Sequence, residues 1–521
     1  MYYTFNLRWR YGCLSRKDTP PRQGDVPMRE CKEMRAPTQK PVIYRFFPRG
    51  YSEHRNGVLN SILLWLIAGM GLVILPSCAN LGGPAYQRPE LPVKKEWSRG
   101  SSTAETIRLD WWTAFGDPYL NSLIEKAIAQ GIDLKILAAR SEVAEVAIEQ
   151  ARAGALPTVN LGFGINTQKV TGQSSTTQYN AASALNWELD IWGKFKKGVK
   201  AQTAAYKATE ADWRAGYLTL VSNVATSYFQ IRQFDEQIQR QQAYLNQNEE
   251  ILAIYESMHQ EGLIPETQIL QQKAEISRLK TGLLELNRLR TVTENALATL
   301  LGIPAGELQV PRSYLQDSVD IIGVPSGLPA DLLSRRPDVI AAEYRILQAH
   351  ELSGQAKLAK LPSITLTARG GTASFELTDL MKMWTFGIMP SINFPIFDPN
   401  INARIKVSEA EAKVAAEEYR RTVFQAFEEV ENALTNLASR KEQKKELEQQ
   451  IIDLRIVSDQ IQAQLEEGLI SQLQVFEIQR SLLAAELAML SNYQQILSST
   501  VTLYKALGGG WPETDIQQSL Q

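Results

Sequence analysis

Few side chains in this chain have types and spacings that could do chemistry. The cysteines are Cys13, Cys31 and Cys78 and the histidines are His54, His259 and His350. A zinc site needs several such ligands held close together. Here none forms a Cys-x-x-Cys pair, the histidines are far apart, and no cysteine follows position 78, so the body has no disulfide and no thiolate metal site. There is no nucleophile elbow, no phosphate loop and no metal-ligand cluster. Glu428-Glu429 sits among basic residues of a helical stretch and reads as a solvated face. The expectation is a protein that is not an enzyme and uses no metal or other cofactor.

Cys78 is the exception. Residues 58–75 are an apolar run preceded by His54-Arg55-Asn56. A transmembrane helix and a secretory signal both fit that pattern. The run ends in Leu75-Pro76-Ser77-Cys78, which resembles a bacterial lipobox, with Pro76 in an unusual place. On this reading residues 55–77 are a signal peptide and Cys78 is acylated, held by about 0.8 kcal/mol for each buried CH₂. The rival reading is a chance cysteine behind a signal peptide. Ala79, rather than Asp, follows the cysteine and favours the outer membrane. Residues 1–54 mix Pro, Arg and aromatics without periodicity and are left outside the fold as an extension. Residues 78–110 are a lipid-anchored, Gly/Pro-rich linker.

Charge excludes one class of partner. Residues 1–55 hold 12 Lys/Arg against 5 Asp/Glu, whereas the rest of the chain holds 43 against 52. A net-acidic body with scattered basic residues is a poor nucleic-acid binder.

The elements that would position any site come in two copies. Leu156-Pro157 recurs as Leu361-Pro362, a shift of 205; Gly262-Leu263-Ile264 recurs as Gly468-Leu469-Ile470, and Leu301-Gly302 as Leu507-Gly508, a shift of 206. Such a period implies duplication of a structural half rather than a short-repeat solenoid. Residues 119–153 read as two helices broken near Gly131, with Asp133 as a cap. Residues 158–166 and 179–191 alternate: Val159, Leu161, Phe163 and Ile165 share one face, and Asn160, Gly162, Gly164 and Asn166 the other. The second copy repeats this around Ile364–Arg369 and Trp384–Ile396. Period two with one apolar face predicts half-buried strands. Residues 197–258 and 401–466 contain no proline and carry a single apolar stripe at helical spacing. Sixty such residues make about 90 Å of helix. Return helices are predicted over 266–301 and 471–507. Asp190 and Asp398, at the strand-to-helix junctions, read as caps or turn formers.

Four amphipathic strands cannot close a barrel, and an open sheet in lipid leaves edge groups unsatisfied. The pattern therefore predicts pooled hairpins from several protomers, apolar face to lipid and Asn/Thr/Gly face to water. The alternative is a non-channel periplasmic coiled-coil protein whose alternating segments form an ordinary sheet.

Several segments, in order, resemble the TolC/OprM outer membrane efflux family in its NodT-like lipoprotein branch. They are Trp111-Trp112-x-x-Phe115-Gly116-Asp117-Pro118, Gln150-Ala151-Arg152-Ala153-x-x-Leu156-Pro157, Trp187-Glu188-Leu189-Asp190-Ile191-Trp192-Gly193-Lys194, Arg335-Arg336-Pro337-Asp338-Val339 and Pro395-Ile396-Phe397-Asp398. The resemblance runs from about Cys78 to Gly509. It implies a mainly α protein with a small β part. Long antiparallel hairpins would form a helical tunnel, and two β-hairpins per protomer would join a trimeric twelve-stranded transmembrane barrel. It divides the chain into a first repeat (111–305), an equatorial linker (306–330), a second repeat (331–509) and a tail (510–521). The implied partners are a homotrimer, outer membrane lipid, a periplasmic membrane-fusion adaptor and an inner-membrane RND-type transporter, with the chain a passive exit duct. The exit duct of a type I secretion system is the alternative within transport.

The family's tunnel closes at its tip through acidic side chains. The matching positions here are Gln474 and Glu477, with Glu467 beside the turn; Gln268 and Gln271 stand there in the first repeat. Three copies of Glu477 would form a cation-attracting ring, and the other reading of Glu477 is a solvated helix-surface residue. The turns at Gly262, Leu263, Gly468 and Leu469 sit where adaptors would dock. Trp187, Trp192 and Trp384 read either as a girdle at the barrel's interface with water or as simple packing.

Overall fold

A computed structural model describes residues 86–89, 96–98, 108–172, 174–315 and 332–511. Cys78, the signal segment 55–77, the extension 1–54, most of the equatorial linker and the tail beyond 511 lie outside these residues. Among the described residues no helix is long and apolar enough to cross a membrane, which says nothing of a β-barrel.

The duplication is visible in element lengths. The first half runs α1 (Pro118–Gln130), α2 (Ile132–Ala153), β1 (Thr158–Gln168), β2 (Thr176–Leu189), α3 (Lys194–Gln260) and α4 (Glu266–Leu300). The second runs α5 (Pro337–Leu358), β3 (Ser363–Ser374), β4 (Thr385–Asn393), α6 (Pro399–Glu466) and α7 (Gln472–Ala506). Both α2 and α5 have 22 residues, α3 and α6 have 67 and 68, and α4 and α7 both have 35. At about 1.5 Å per residue the two long helices each reach roughly 100 Å.

Local chemistry explains most boundaries. Asp117 caps α1, its carboxylate accepting from Tyr119 N (2.8 Å) and Leu120 N (3.2 Å), with Pro118 at the first helical position. The break at Gly131 falls where expected, but Asp133 is not the cap. Gly131 itself joins α1 to α2, and Asp133 lies inside the first turn of α2, where its charge complements the helix dipole. Asp398 caps α6 through Asn400 N (2.8 Å) and Ile401 N (3.3 Å). Asp190 performs the same task at α3, accepting from Phe195 N (3.1 Å) and Lys196 N (2.9 Å). Two strands end sooner than the alternation suggests, β2 at Leu189 and β4 at Asn393, so Trp384, Phe394 and Ile396 flank β4, whereas β1 runs on to Gln168 and β3 to Ser374.

The closing turns of the two repeats share one contact. Gly302 and Gly508 both have positive φ (71° and 88°). A β-carbon on Gly302 would stand 2.7 Å from the Gln130 carbonyl oxygen, and one on Gly508 would stand 2.8 Å from that of Arg335. In each half, then, the end of the return helix rests on the backbone just before the half's first long-packed helix, and only glycine fits.

The main core lies where α1, α3, α4 and α7 meet. Trp111, Phe115, Trp213, Tyr228, Phe229 and Leu297 are all buried there, and Trp111 stacks on Tyr504 with ring centroids 4.8 Å apart. Helix α5 packs against both α3 and α6, whereas α2 packs against α3 without a comparable second wall. Val143 and Val146 on α2 are accordingly 72% and 56% exposed.

Candidate functional site

The four strands form one antiparallel sheet in the order β1-β2-β3-β4. The sheet is open: β1 and β4 are edges. Its register carries the alternation from strand to strand. Ile165 pairs with Tyr179, Val159 with Leu185, Leu185 with Ala368, and Ala368 with Ile388, so one face is apolar across all four strands. The opposite face pairs Asn166 with Gln178, Asn186 with Thr367, and Thr365 with Ser391. On the edge strands the apolar side chains are exposed, Phe163 at 75% and Phe386 at 76%, and on the central strands β2 and β3 they are mostly half-buried. Burying one such ring fully contributes roughly 1.5–3 kcal/mol, so this face has the chemistry of a surface that meets lipid or another apolar layer.

The tryptophans at the base of the sheet have defined partners. Trp187 Nε1 donates to the Ala155 carbonyl (2.9 Å), and Trp192 Nε1 donates to the Pro362 carbonyl (2.7 Å). Each ties a strand or its exit to the Leu-Pro step that opens a hairpin. Trp384 stands at the other end of β4 and is 64% exposed. The Arg335-Arg336-Pro337-Asp338 segment is likewise a joint. Buried Arg336 donates to the Ala506 carbonyl (2.9 Å) and pairs with Asp338 and Glu429, both at 2.7 Å, pinning the start of α5 to the end of α7.

At the far ends of the hairpins, Gly262 and Gly468 take positive φ (73° and 74°) with open space around them. Leu263 and Leu469 beside them are 69% and 68% exposed. Glu477 is exposed on α7 and Glu467 caps α6 at the turn, also exposed. Gln474 is used locally: its Oε1 accepts from the Ser471 N–H (3.1 Å), closing a capping box at the start of α7. The first repeat has no such box, because Pro265 occupies the cap.

Two charged networks went unread in the sequence. Near the core, Arg290 bridges Asp235 (2.6 Å), Glu294 (2.9 Å) and the Val310 carbonyl (2.7 Å), while Glu236 accepts from Leu315 N (3.1 Å). Burial pushes the Asp235 carboxyl up against the pull of Arg290 and Arg232. The network fastens residues 310–315 across the α3/α4 hairpin. Farther along, Glu275 on α4 pairs with Arg278 and with Arg480 on α7, both at 2.5 Å, and Tyr255 on α3 bonds Gln472 on α7. Burial alone would raise the Glu275 carboxyl, but the two guanidinium groups outweigh it and hold it below its ordinary value. These residues look in sequence like the ordinary charged face of a helix; only cross-hairpin geometry distinguishes them.

The comparisons with known proteins agree with this geometry. The chain is 30% identical over 472 residues to the toluene efflux pump outer membrane protein TtgF of Pseudomonas putida, covering 85% of this chain and 96% of that one. It is also 30% identical over 459 residues to the cation efflux system protein CusC of Escherichia coli, covering 84% and 99%. Among solved structures, the open-state MtrE outer membrane channel of Neisseria gonorrhoeae superposes with a TM-score of 0.73 at 28% identity, over 82% of this chain and 98% of that one. The family model described as outer membrane efflux protein matches residues 123–303 and 328–509, which coincide with the two structural halves. The chain belongs to the outer membrane efflux protein family.

Proposed function

We propose that three copies of this chain form the outer membrane exit duct of a tripartite efflux system. The observation that carries the reading is the open four-stranded sheet, apolar on one face across every strand and unpaired at both edges. In hydrocarbon each unsatisfied edge group costs several kcal/mol, and closure removes them. Three such sheets supply twelve strands. The helices support the same assembly. Helix α5 fills a groove between α3 and α6 of its own chain, and the equivalent groove for α2 is completed by α6 of a neighbour, covering Val143 and Val146. That contact is head-to-tail and closes as a ring.

The duct does no chemistry itself. A periplasmic adaptor docks at the turns around Gly262, Leu263, Gly468 and Leu469, and an RND-type inner-membrane transporter delivers cargo. The acyl anchor at Cys78 and the residues of the tip belong to this proposal. Glu477, free of ion pairs among the described residues, supplies the charge of the closed end together with Glu467; Gln474 contributes only its cap. Purified protein in detergent is expected to run as a heat-modifiable trimer and to conduct in planar bilayers. A monomer that stays soluble without detergent sinks the reading. Glu477→Ala is expected to raise closed-state conductance or weaken cation preference, and unchanged currents remove Glu477 from the gate.

A further inference from the structure

The water-facing side of the sheet carries a cation with no counter-ion. Arg369 sits midway along β3, on the face of Asn186, Thr367 and Ser391, opposite Ala184 on β2 and Gly387 on β4. It is exposed and makes no ion pair or side-chain hydrogen bond among the described residues. Its neighbours are small, so nothing restrains the guanidinium from reaching into water. The single acidic residue among the water-facing strand positions is Glu188, and that carboxylate is taken by Lys194 at 2.5 Å. The edge strand β1, which a neighbouring copy would bring alongside β4, offers Asn160, Gly162 and Asn166 on this face and no carboxylate.

We infer that Arg369 from each copy forms a cationic ring on the barrel wall that draws solutes bearing a carboxylate or phosphate along it. The inference rests on the trimeric barrel proposed above. Rings of basic side chains favour anions in pores, and a planar guanidinium pairs with carboxylate and phosphate in bidentate fashion. At physiological ionic strength the field decays over about 8 Å. The ring therefore acts on solutes passing near the wall, not on the whole cross-section.

The test places a reporter beside the ring. Ala184→Cys lies directly across the ladder from Arg369, and the chain has no other cysteine after position 78. In reconstituted trimers, the rates of modification by sulfonatoethyl and trimethylammonioethyl methanethiosulfonate are compared. Their ratio cancels any change in the thiol's own reactivity. The anionic reagent is expected to lead severalfold with Arg369 present and with Arg369→Lys, and the lead should vanish with Arg369→Gln. In 1 M salt, where screening shortens to about 3 Å, the lead should also shrink. Equal ratios with Arg369 intact and with Arg369→Gln overturn the ring while leaving the barrel standing. If the thiol of Ala184→Cys reacts with neither reagent, in trimers that still assemble, the water-filled face is overturned and the ring with it.

Discussion

At the scale of single residues, the informative groups are buried and polar. Asp117 caps α1 and also accepts the Tyr228 hydroxyl inside the main core. Burial, with the Asp117 carboxylate beside it, holds the Tyr228 phenol well above its usual range, so it remains a donor. Loss of the cap typically costs about 1 kcal/mol, and leaving a buried hydroxyl unpaired adds roughly 1–3 kcal/mol. Asp117→Ala is thus expected to destabilise by about 2–4 kcal/mol in denaturant melts, and Asp117→Asn by less. Glu275 gives a pH test. Its carboxyl lies below the ordinary value of 4.5, so the folded state binds fewer protons there than the unfolded chain. Its contribution is complete above that ordinary value and is lost as pH falls through the folded value. Melting curves between about pH 3 and 6 should show an acid loss that Glu275→Gln flattens; parallel curves would remove the Arg480 link from the account. Asp117 is legible in sequence as part of a motif, whereas Glu275 is not. Its partner lies on another hairpin, and no local spacing announces a contact between positions 275 and 480.

At the scale of elements, periodicity and punctuation carry most of the information. The proline-free stretches correspond to α3 and α6 to within three residues, since a single apolar stripe and good capping leave a helix no competitor. Alternation places the strands, but their ends are set by ladder partners that a single strand does not display. Asp133 misleads because a glycine bend can begin a helix without a side-chain cap. Gln474 matches a gating position by resemblance, and Ser471, three residues earlier, also gives it a local capping bond that the resemblance does not reveal. The glycines separate two roles. Gly468→Ala has room for the β-carbon and is expected to cost only the roughly 1–2 kcal/mol of a left-handed residue. Gly508→Ala meets the Arg335 carbonyl oxygen at 2.8 Å as well, and should cost clearly more. Thermal melts of the two variants order them; equal losses would mean the Arg335 contact yields freely.

At the scale of the whole molecule, the sheet decides where the protein can live. Placing a charge on its apolar face should prevent insertion without touching the helices. Phe163→Arg and Phe386→Arg are each expected to cost about 2–4 kcal/mol per protomer at mid-membrane, whereas Asn160→Arg on the opposite face should be tolerated. Membrane fractionation and heat-modifiable migration report the difference, and equal behaviour of Phe163→Arg and Asn160→Arg would reverse the assignment of the faces. The closed assembly itself is not visible in either half of the sequence, because its defining contacts lie between copies. What the sequence displays is their absence in the sheet, four strands too few to close, while the missing wall beside α2 shows only in the packing of the structure.

The near-equal arms of the two hairpins, 67 with 35 residues and 68 with 35, make the molecule a ruler. Cutting seven residues from every arm would draw all turns back by about 10 Å and leave them level, so a docking partner would meet an intact rim at a shorter reach. The same cut in one hairpin alone would leave a crenellated rim, with alternate teeth recessed by about two helical turns. A partner that grips every tooth would lose half its footing, while one that reads only the taller hairpins would hold on. Graded shortening therefore reveals how many teeth the coupling needs.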